Sequence, residues 1–448
     1  MIKKSTLIVL LFAVVLGGVV YYFNQKRIAK EKSPAGESKP AFVVKNDDIV
    51  AMTLSHPAKP DAPAIQFKKE NGEWKILEPV ETGADQSSVE GITGGLAAAI
   101  VSGTEPGTPD RLKAYGLDPA QVSIQFETKN GAKHTLLLGD KDFTGAFVYG
   151  VADDGKSVDL LPQTMLLSAD KSLEDLRDRN VLRIESENIT SFDLKNATGE
   201  IAAKKESKGW TLTKPEDKPA DADNISSLLA EVSTSKMQSI ASEKPENLGK
   251  YGLASPPILL TTTDDKGAVQ TLVVGKKDGD TFFARDLSRP MIFTINNDLY
   301  LKLAENFNSF RDKTILHFSA DDINRADVVN STGEIAIYRK EPGKEDWLFA
   351  APASEKDKAA GSWKVFSPLE GTRAEEVLDH PSAAVLSALR KPAISVTLTG
   401  KDGKKITLEV SKPDNGFVYV KTNESPSIFK MKKSFYDDMD FSAAQAVF

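Results

Sequence analysis

Cysteine is absent from all 448 residues, which excludes disulfides, thiolate metal sites, a cysteine nucleophile and a lipidated N-terminal cysteine, without assigning a redox compartment. Histidine is almost as scarce. His56, His134, His317 and His380 lie far apart, and none forms a His-x-x-x-His or His-Glu-x-x-His pair, so a zinc site has little support. There is no Gly-x-Ser-x-Gly elbow, no Gly-x-x-x-x-Gly-Lys-Ser/Thr loop and no Asp-x-Asp-x-Asp-Gly calcium loop. The commonest hydrolase, nucleotide and calcium signatures are thereby missing, and the sequence reading is of a non-enzyme with no cofactor and no metal. The doublets Asp153-Asp154, Asp264-Asp265 and Asp321-Asp322 read as turn residues, because aspartate bonds its own backbone there. Acidic residues outnumber basic ones beyond the N-terminus. Residues 1–46 hold eight Lys/Arg against Glu31 and Glu37, which leaves residues 47–448 at a net charge of −13. An acidic body repels phosphate backbones, so nucleic acid is not an expected partner.

What is there begins with one long apolar run. Ser5 to Phe23 is 19 uncharged residues, which as a helix would span about 28 Å and could cross a bilayer. Lys3 and Lys4 precede it; Tyr21, Tyr22, Lys26 and Arg27 close it with the aromatic and basic residues expected at an interface. A cleaved signal peptide is the alternative, but the run is long and no small-x-small pattern follows promptly. The expected layout is a cytoplasmic leader and transmembrane anchor over 1–25, a flexible tether over 26–46, and a body beyond it outside the cytoplasm.

The body repeats itself. Tyr115-Gly116-Leu117-Asp118-Pro119 returns 136 residues later as Tyr251-Gly252-Leu253-Ala254-Ser255-Pro256. At the same offset Trp74 answers to Trp210, Pro79 to Pro215, Asp85 to Asp221, Val89 to Ile225, Ile92 to Leu228, Leu96 to Val232 and Gly139 to Gly275. Alternating runs at Ile49–Leu54, Ala64–Phe67, Trp74–Leu77, Val122–Phe126 and Thr135–Leu138 predict short antiparallel strands. Asp85 and Asp221 are placed to cap helices, the first carrying Val89, Ile92, Leu96 and Ile100 on one face. A second helix is expected from about Pro162 to Arg179, and in the second copy one carrying Leu299, Leu303, Phe307 and Phe310. In a degenerate third copy Tyr251-Gly252-Leu253 becomes Ser387-Ala388-Leu389, and Trp363-Lys364-Val365-Phe366-Ser367-Pro368 reads as the partner of Trp74 to Pro79, with Trp347 in an inserted hairpin. The fold class is therefore α+β: three tandem domains of antiparallel sheet with packed helices, at 47–184, 185–318 and 319–448.

Gly116 and Gly252 are expected to end helices at positive φ, with Leu117 and Leu253 packed and Pro119 and Pro256 leading into strands. Tyr115 and Tyr251 belong to the same structural motif. Trp74, Trp210 and Trp363 read as core anchors, although an exposed tryptophan would reopen a role as a sugar platform. Arg177-Asp178 and Arg311-Asp312 are read as helix-terminal ion pairs or contacts between successive domains.

The anchor, tryptophan with proline five residues on, Tyr-Gly-Leu closely followed by proline, Leu136 to Gly139 and Leu176-Arg177-Asp178-Arg179 together resemble the bacterial domain-of-unknown-function 4340 family. That resemblance implies similarity to auxiliary subunits of gliding-motility-type ABC transporters. It brings no catalytic residues. The implied protein is a non-enzymatic accessory or scaffold protein, single-pass in the bacterial inner membrane, partnering an ABC-type permease or other envelope proteins. The alternative is a periplasmic ligand- or glycan-binding module with its ligand between repeats.

Overall fold

The computed structural model describes residues 39–153, 155–207, 209–341 and 346–447. Ser5–Phe23 lies outside them, and among the described residues no helix is long and apolar enough to cross a membrane. Two compact units are present, one up to Arg179 and one from Asn180.

The first unit is built on a nine-stranded antiparallel sheet. From edge to edge its strands are Thr82–Gly83, Glu73–Glu78, Ile65–Glu70, Ile49–Ser55, Val122–Thr128, Lys133–Lys141, Phe147–Ala152, Ser157–Pro162 and Gly103–Pro106. Residues of alternating polarity form these strands, and the inward set includes Leu54, Phe67, Ile76, Ile124 and Leu138, all buried. Against them packs the helix Gln86–Ala98, started by the Asp85 carboxylate accepting from Ser88 N at 2.8 Å and burying Val89, Ile92 and Leu96. Each of those side chains contributes roughly 2 kcal/mol by burial. Ile100 is not on this helix. Ala99 ends it, and Ile100 pairs with Pro40 in a two-stranded ribbon, half exposed. Residues 39–46 accordingly belong to the fold and not to a tether, because Phe42 is buried in the core against Phe126. The single helix expected over 162–179 is two, Thr164–Ala169 and Leu173–Leu176, since Ser172 caps the second through a capping box and breaks the run.

The second unit holds two sheets. One repeats the first unit's order with nine strands: Lys218–Pro219, Gly209–Lys214, Gly199–Glu206, Ile189–Asn196, Ile258–Asp264, Val269–Asp278, Thr281–Asp286, Ile292–Ile295 and Ser239–Ser242. Its helix Ala222–Thr234 is capped by Asp221 and buries Ile225, Leu228, Leu229 and Val232. Leu299 and Phe307 fall on separate helices, Asn297–Leu303 and Phe307–Phe310, the second started by Asn306. The other sheet has eight strands in the corresponding order: Trp347–Ala351, Gly333–Arg339, Ile323–Asn330, Ile394–Gly400, Lys405–Val410, Phe417–Thr422, Ile428–Lys432 and Glu376–Leu378.

All three copies open alike. A single 3-10 turn precedes Ile49, Ile189 and Ile323, and one residue later a bulge shifts the register, so that the isoleucine and Met52, Phe192 or Ala326 all face the core.

The third copy corrects the sequence alignment. Trp347, not Trp363, is the counterpart of Trp74 and Trp210. It pairs with Arg339 as Trp74 pairs with Lys69 and Trp210 with Lys205, and each hairpin carries the same register shift two to four residues on. Pro352 follows Trp347 by five residues, as Pro79 and Pro215 follow theirs, and the peptide before each of the three prolines is cis. Trp347 and Phe349 alternate into the core, which a helical Trp363 cannot do. The connection between Arg339 and Trp347 is three residues longer than its counterparts, which leaves Trp347 137 residues after Trp210 and hides the match. The 13-residue helix of the other copies is replaced here by one turn, Trp363–Phe366.

Candidate functional site

The Tyr-Gly-Leu motif is a turn pressed against a strand. Gly116 follows the helix Pro109–Ala114 at φ 65°, and Gly252 follows the 3-10 turn Leu248–Tyr251 at φ 73°. Gly139 and Gly275 explain the motif's second half. A Cβ on Gly139 would lie 2.2 Å from the Tyr115 carbonyl, and one on Gly275 would lie 2.2 Å from the Tyr251 carbonyl, so only glycine lets strand and turn meet. Asp140 N then donates to Tyr115 O at 2.8 Å. In the third copy Ala388 and Ser411 stand in place of the two glycines. Ala388 ends an ordinary helix, Ala383–Ala388, without positive φ. The Asp118–Pro119 peptide is cis, and the peptide before Pro256 is not. Leu117 and Leu253 are buried in small satellite clusters; Tyr115 stacks on Tyr149 at 3.9 Å and Tyr251 meets Phe283 edge-on at 5.0 Å. The leucines and glycines of the motif serve the fold, and the Tyr115 hydroxyl donates to Glu105 Oε2 at 2.8 Å.

Trp74 is fully buried and Trp210 partly so, packed on Phe192. Trp363 is 58% exposed. It is therefore no core anchor, and its surroundings form a concavity of about 560 Å³, lined by Trp347, Trp363, Phe366, Arg339, Asp321 and Asp346 among others. Trp347 packs on Phe366 at 5.1 Å, and the Arg339 guanidinium lies 4.8 Å over the Trp347 ring while donating to Ile323 O and Ala320 O.

In the second unit the Arg-Asp motif bridges two copies. Arg311, whose side chain is 6% exposed, donates two hydrogen bonds to Asp379 in the third copy, the Nη2–Oδ1 contact being 2.8 Å. Lys218 Nζ reaches the same carboxylate at 2.9 Å and Ser427 Oγ donates to it at 2.7 Å. Arg311, foremost, with Lys218 and Ser427 holds Asp379 well below the usual carboxylate range, against the opposing effect of burial. Beside it Arg373 pairs with Asp221, the helix cap. Asp312 bonds Thr314 N and faces His317 Nε2 at 2.8 Å; burial would raise its pKa, but these partners outweigh it and the net direction is down. In the first unit Arg177 Nη1 donates to Glu174 at 3.3 Å, a helix-terminal pair.

The carboxylate doublets fall in turns. Asp264 accepts from Lys266 N and Ala268 N, Asp153 accepts from Thr135 N and meets His134, and Asp321-Asp322 lies in the opening 3-10 turn; Asp154 is outside the described residues. Among the described residues no three His, Asp or Glu side chains are placed to hold a metal ion. His56 is buried beside Asp170 at 3.3 Å, and burial pulls its pKa down despite that carboxylate. Sequence reasoning missed Trp347, Arg339 and Asp379; Trp347 and Trp363 both have proline five residues on, so spacing does not choose between them, and nothing local marks the others.

No curated protein matches the chain. The family model described as Domain of unknown function (DUF4340) matches twice, over residues 74–217 and 210–392, each match opening on a tryptophan of the repeat. Together these cover more than two thirds of the sequence, and the chain belongs to the DUF4340 family.

Proposed function

We propose that this protein is a non-enzymatic accessory or scaffold protein of the bacterial cell envelope, held at the inner membrane by Ser5–Phe23 with its body outside the cytoplasm and associated with an ABC-type permease. The observation that carries this reading is the joint between the second and third copies. Two related sheets are pinned by a bidentate Arg311–Asp379 pair that also engages Lys218 and Ser427. A clamp that closes on a ligand needs a hinge between its lobes; a buried, multiply bonded ion pair opposes one and makes a stiff spacer. The pocket at that joint is about 320 Å³, at the low end of the range for ligand sites, with Phe429 and His317 as its aromatic lining residues. A ligand held between these two copies is correspondingly disfavoured, and a scaffold favoured.

Purifying the tagged full chain in mild detergent tests the proposal. An ABC-type permease or another envelope component should co-purify in stoichiometric amount. Recovery of the chain alone from cells that express the candidate transporters would refute it.

A further inference from the structure

We infer that the third copy carries a binding site for a neutral carbohydrate, built around Trp363. The inference goes beyond the scaffold role and does not depend on it. Trp363 sits where the chain abandons the repeat: the first two copies bury their apolar residues on a 13-residue helix, and the third instead has one helical turn with an indole that is 58% exposed. Leaving that ring in water forgoes roughly 2 kcal/mol of burial. The ring is nonetheless positioned. Gly361 N donates to Ala446 O at 2.7 Å, Lys364 N returns to Gly361 O, and a Cβ on Gly361 would lie 2.8 Å from Trp363 Nε1. Glycine is what allows the indole to fold back along the pocket wall.

In the same pocket Trp347 packs on Phe366 at 5.1 Å and carries the Arg339 guanidinium 4.8 Å over its ring. Its volume of about 560 Å³ lies in the range of small-molecule sites, about 300–1,000 Å³. Among the described residues the lining sets Asp321 and Asp346 against Arg339 and Lys340, whose formal charges cancel. Charge balance disfavours an anionic or cationic ligand. An exposed ring that stacks on the apolar face of a pyranose, flanked by carboxylates that accept from hydroxyls, fits a sugar.

The test uses the full chain in a detergent without a sugar headgroup, titrated separately with maltotetraose, cellotetraose, tetra-N-acetylchitotetraose and adenosine. Binding is followed by calorimetry and by the emission difference between the wild type and Trp363→Phe. Saturable binding of at least one oligosaccharide is expected, weakened about tenfold or more by Trp363→Ala, by Asp346→Asn and by Gly361→Ala, and less by Trp363→Phe, with melting temperatures unchanged. Should Trp363→Ala fail to fold, Asp346→Asn and Gly361→Ala carry the comparison. No saturation by any oligosaccharide up to about 10 mM, undiminished affinity in the folded variants, or tighter binding of adenosine would overturn the inference. Failure of the transporter capture leaves this result untouched, and the reverse holds.

Discussion

Replacing Asp379 by asparagine removes one charge from the joint between the second and third copies and little else. In the wild type that carboxylate neutralises Arg311, whose side chain is 6% exposed, and Lys218, whose side chain is 21% exposed. After the change two cations face each other across an amide, and Arg311 cannot lose its proton to escape. Breaking a buried pair by removing one partner costs about 3–5 kcal/mol. Asp379 itself is 18% exposed on its side chain, which lets water offset part of the loss and places the expected cost at about 3 kcal/mol. Urea denaturation of the full chain, followed by hydrogen exchange resolved along the sequence, separates this from a global effect: protection should fall around Arg311, Thr314 and Ser427 and remain unchanged over residues 47–170. The double variant Arg311→Met with Asp379→Leu should recover much of the loss, since an apolar pair carries no stranded charge. A cost below about 0.5 kcal/mol in Asp379→Asn, the level of an exposed pair, would refute the view that this contact stiffens the second unit.

Gly252→Ala should destabilise the second unit more than Gly116→Ala destabilises the first, because the new Cβ would lie 2.7 Å from backbone Lys276 N in one case and beside the movable Asp140 side chain in the other. Melting curves should show about 1–3 kcal/mol for the valine variants at either site, and equal, negligible shifts would remove the basis given for the motif. Acid should act on the two units differently. The folded pKa of Asp379 is depressed, so its contribution is complete above about pH 4 and is lost as pH falls from there through the folded value. His56 also has a depressed folded pKa, but as a base: the unfolded chain binds more protons below about pH 6.5, so the first unit loses stability as pH falls through that window. His56→Gln should flatten that slope between pH 7 and 5, measured by unfolding at several pH values; an unchanged slope would count against the assignment.

The sequence by itself determined what depends on neighbours along the chain. Apolar alternation marked the strands, Asp85 and Asp221 marked the helix starts, and the return of Tyr-Gly-Leu at a fixed offset revealed the duplication, because strand period, cap and turn are each set within a few residues. Even the loss of the turn in the third copy is written locally, at Ala388. Tertiary structure alone decided the rest. Gly139 needs to be glycine because of Tyr115, 24 positions away, and Arg311 finds Asp379 across 68 positions. Trp347 and Trp363 carry similar local sequence signals, and only pairing with Arg339 assigns one to the core and leaves the other at the rim of a pocket. A side chain's burial and charge partners are set by which strands meet, and that is a property of the folded sheet, not of the residue's own surroundings in sequence.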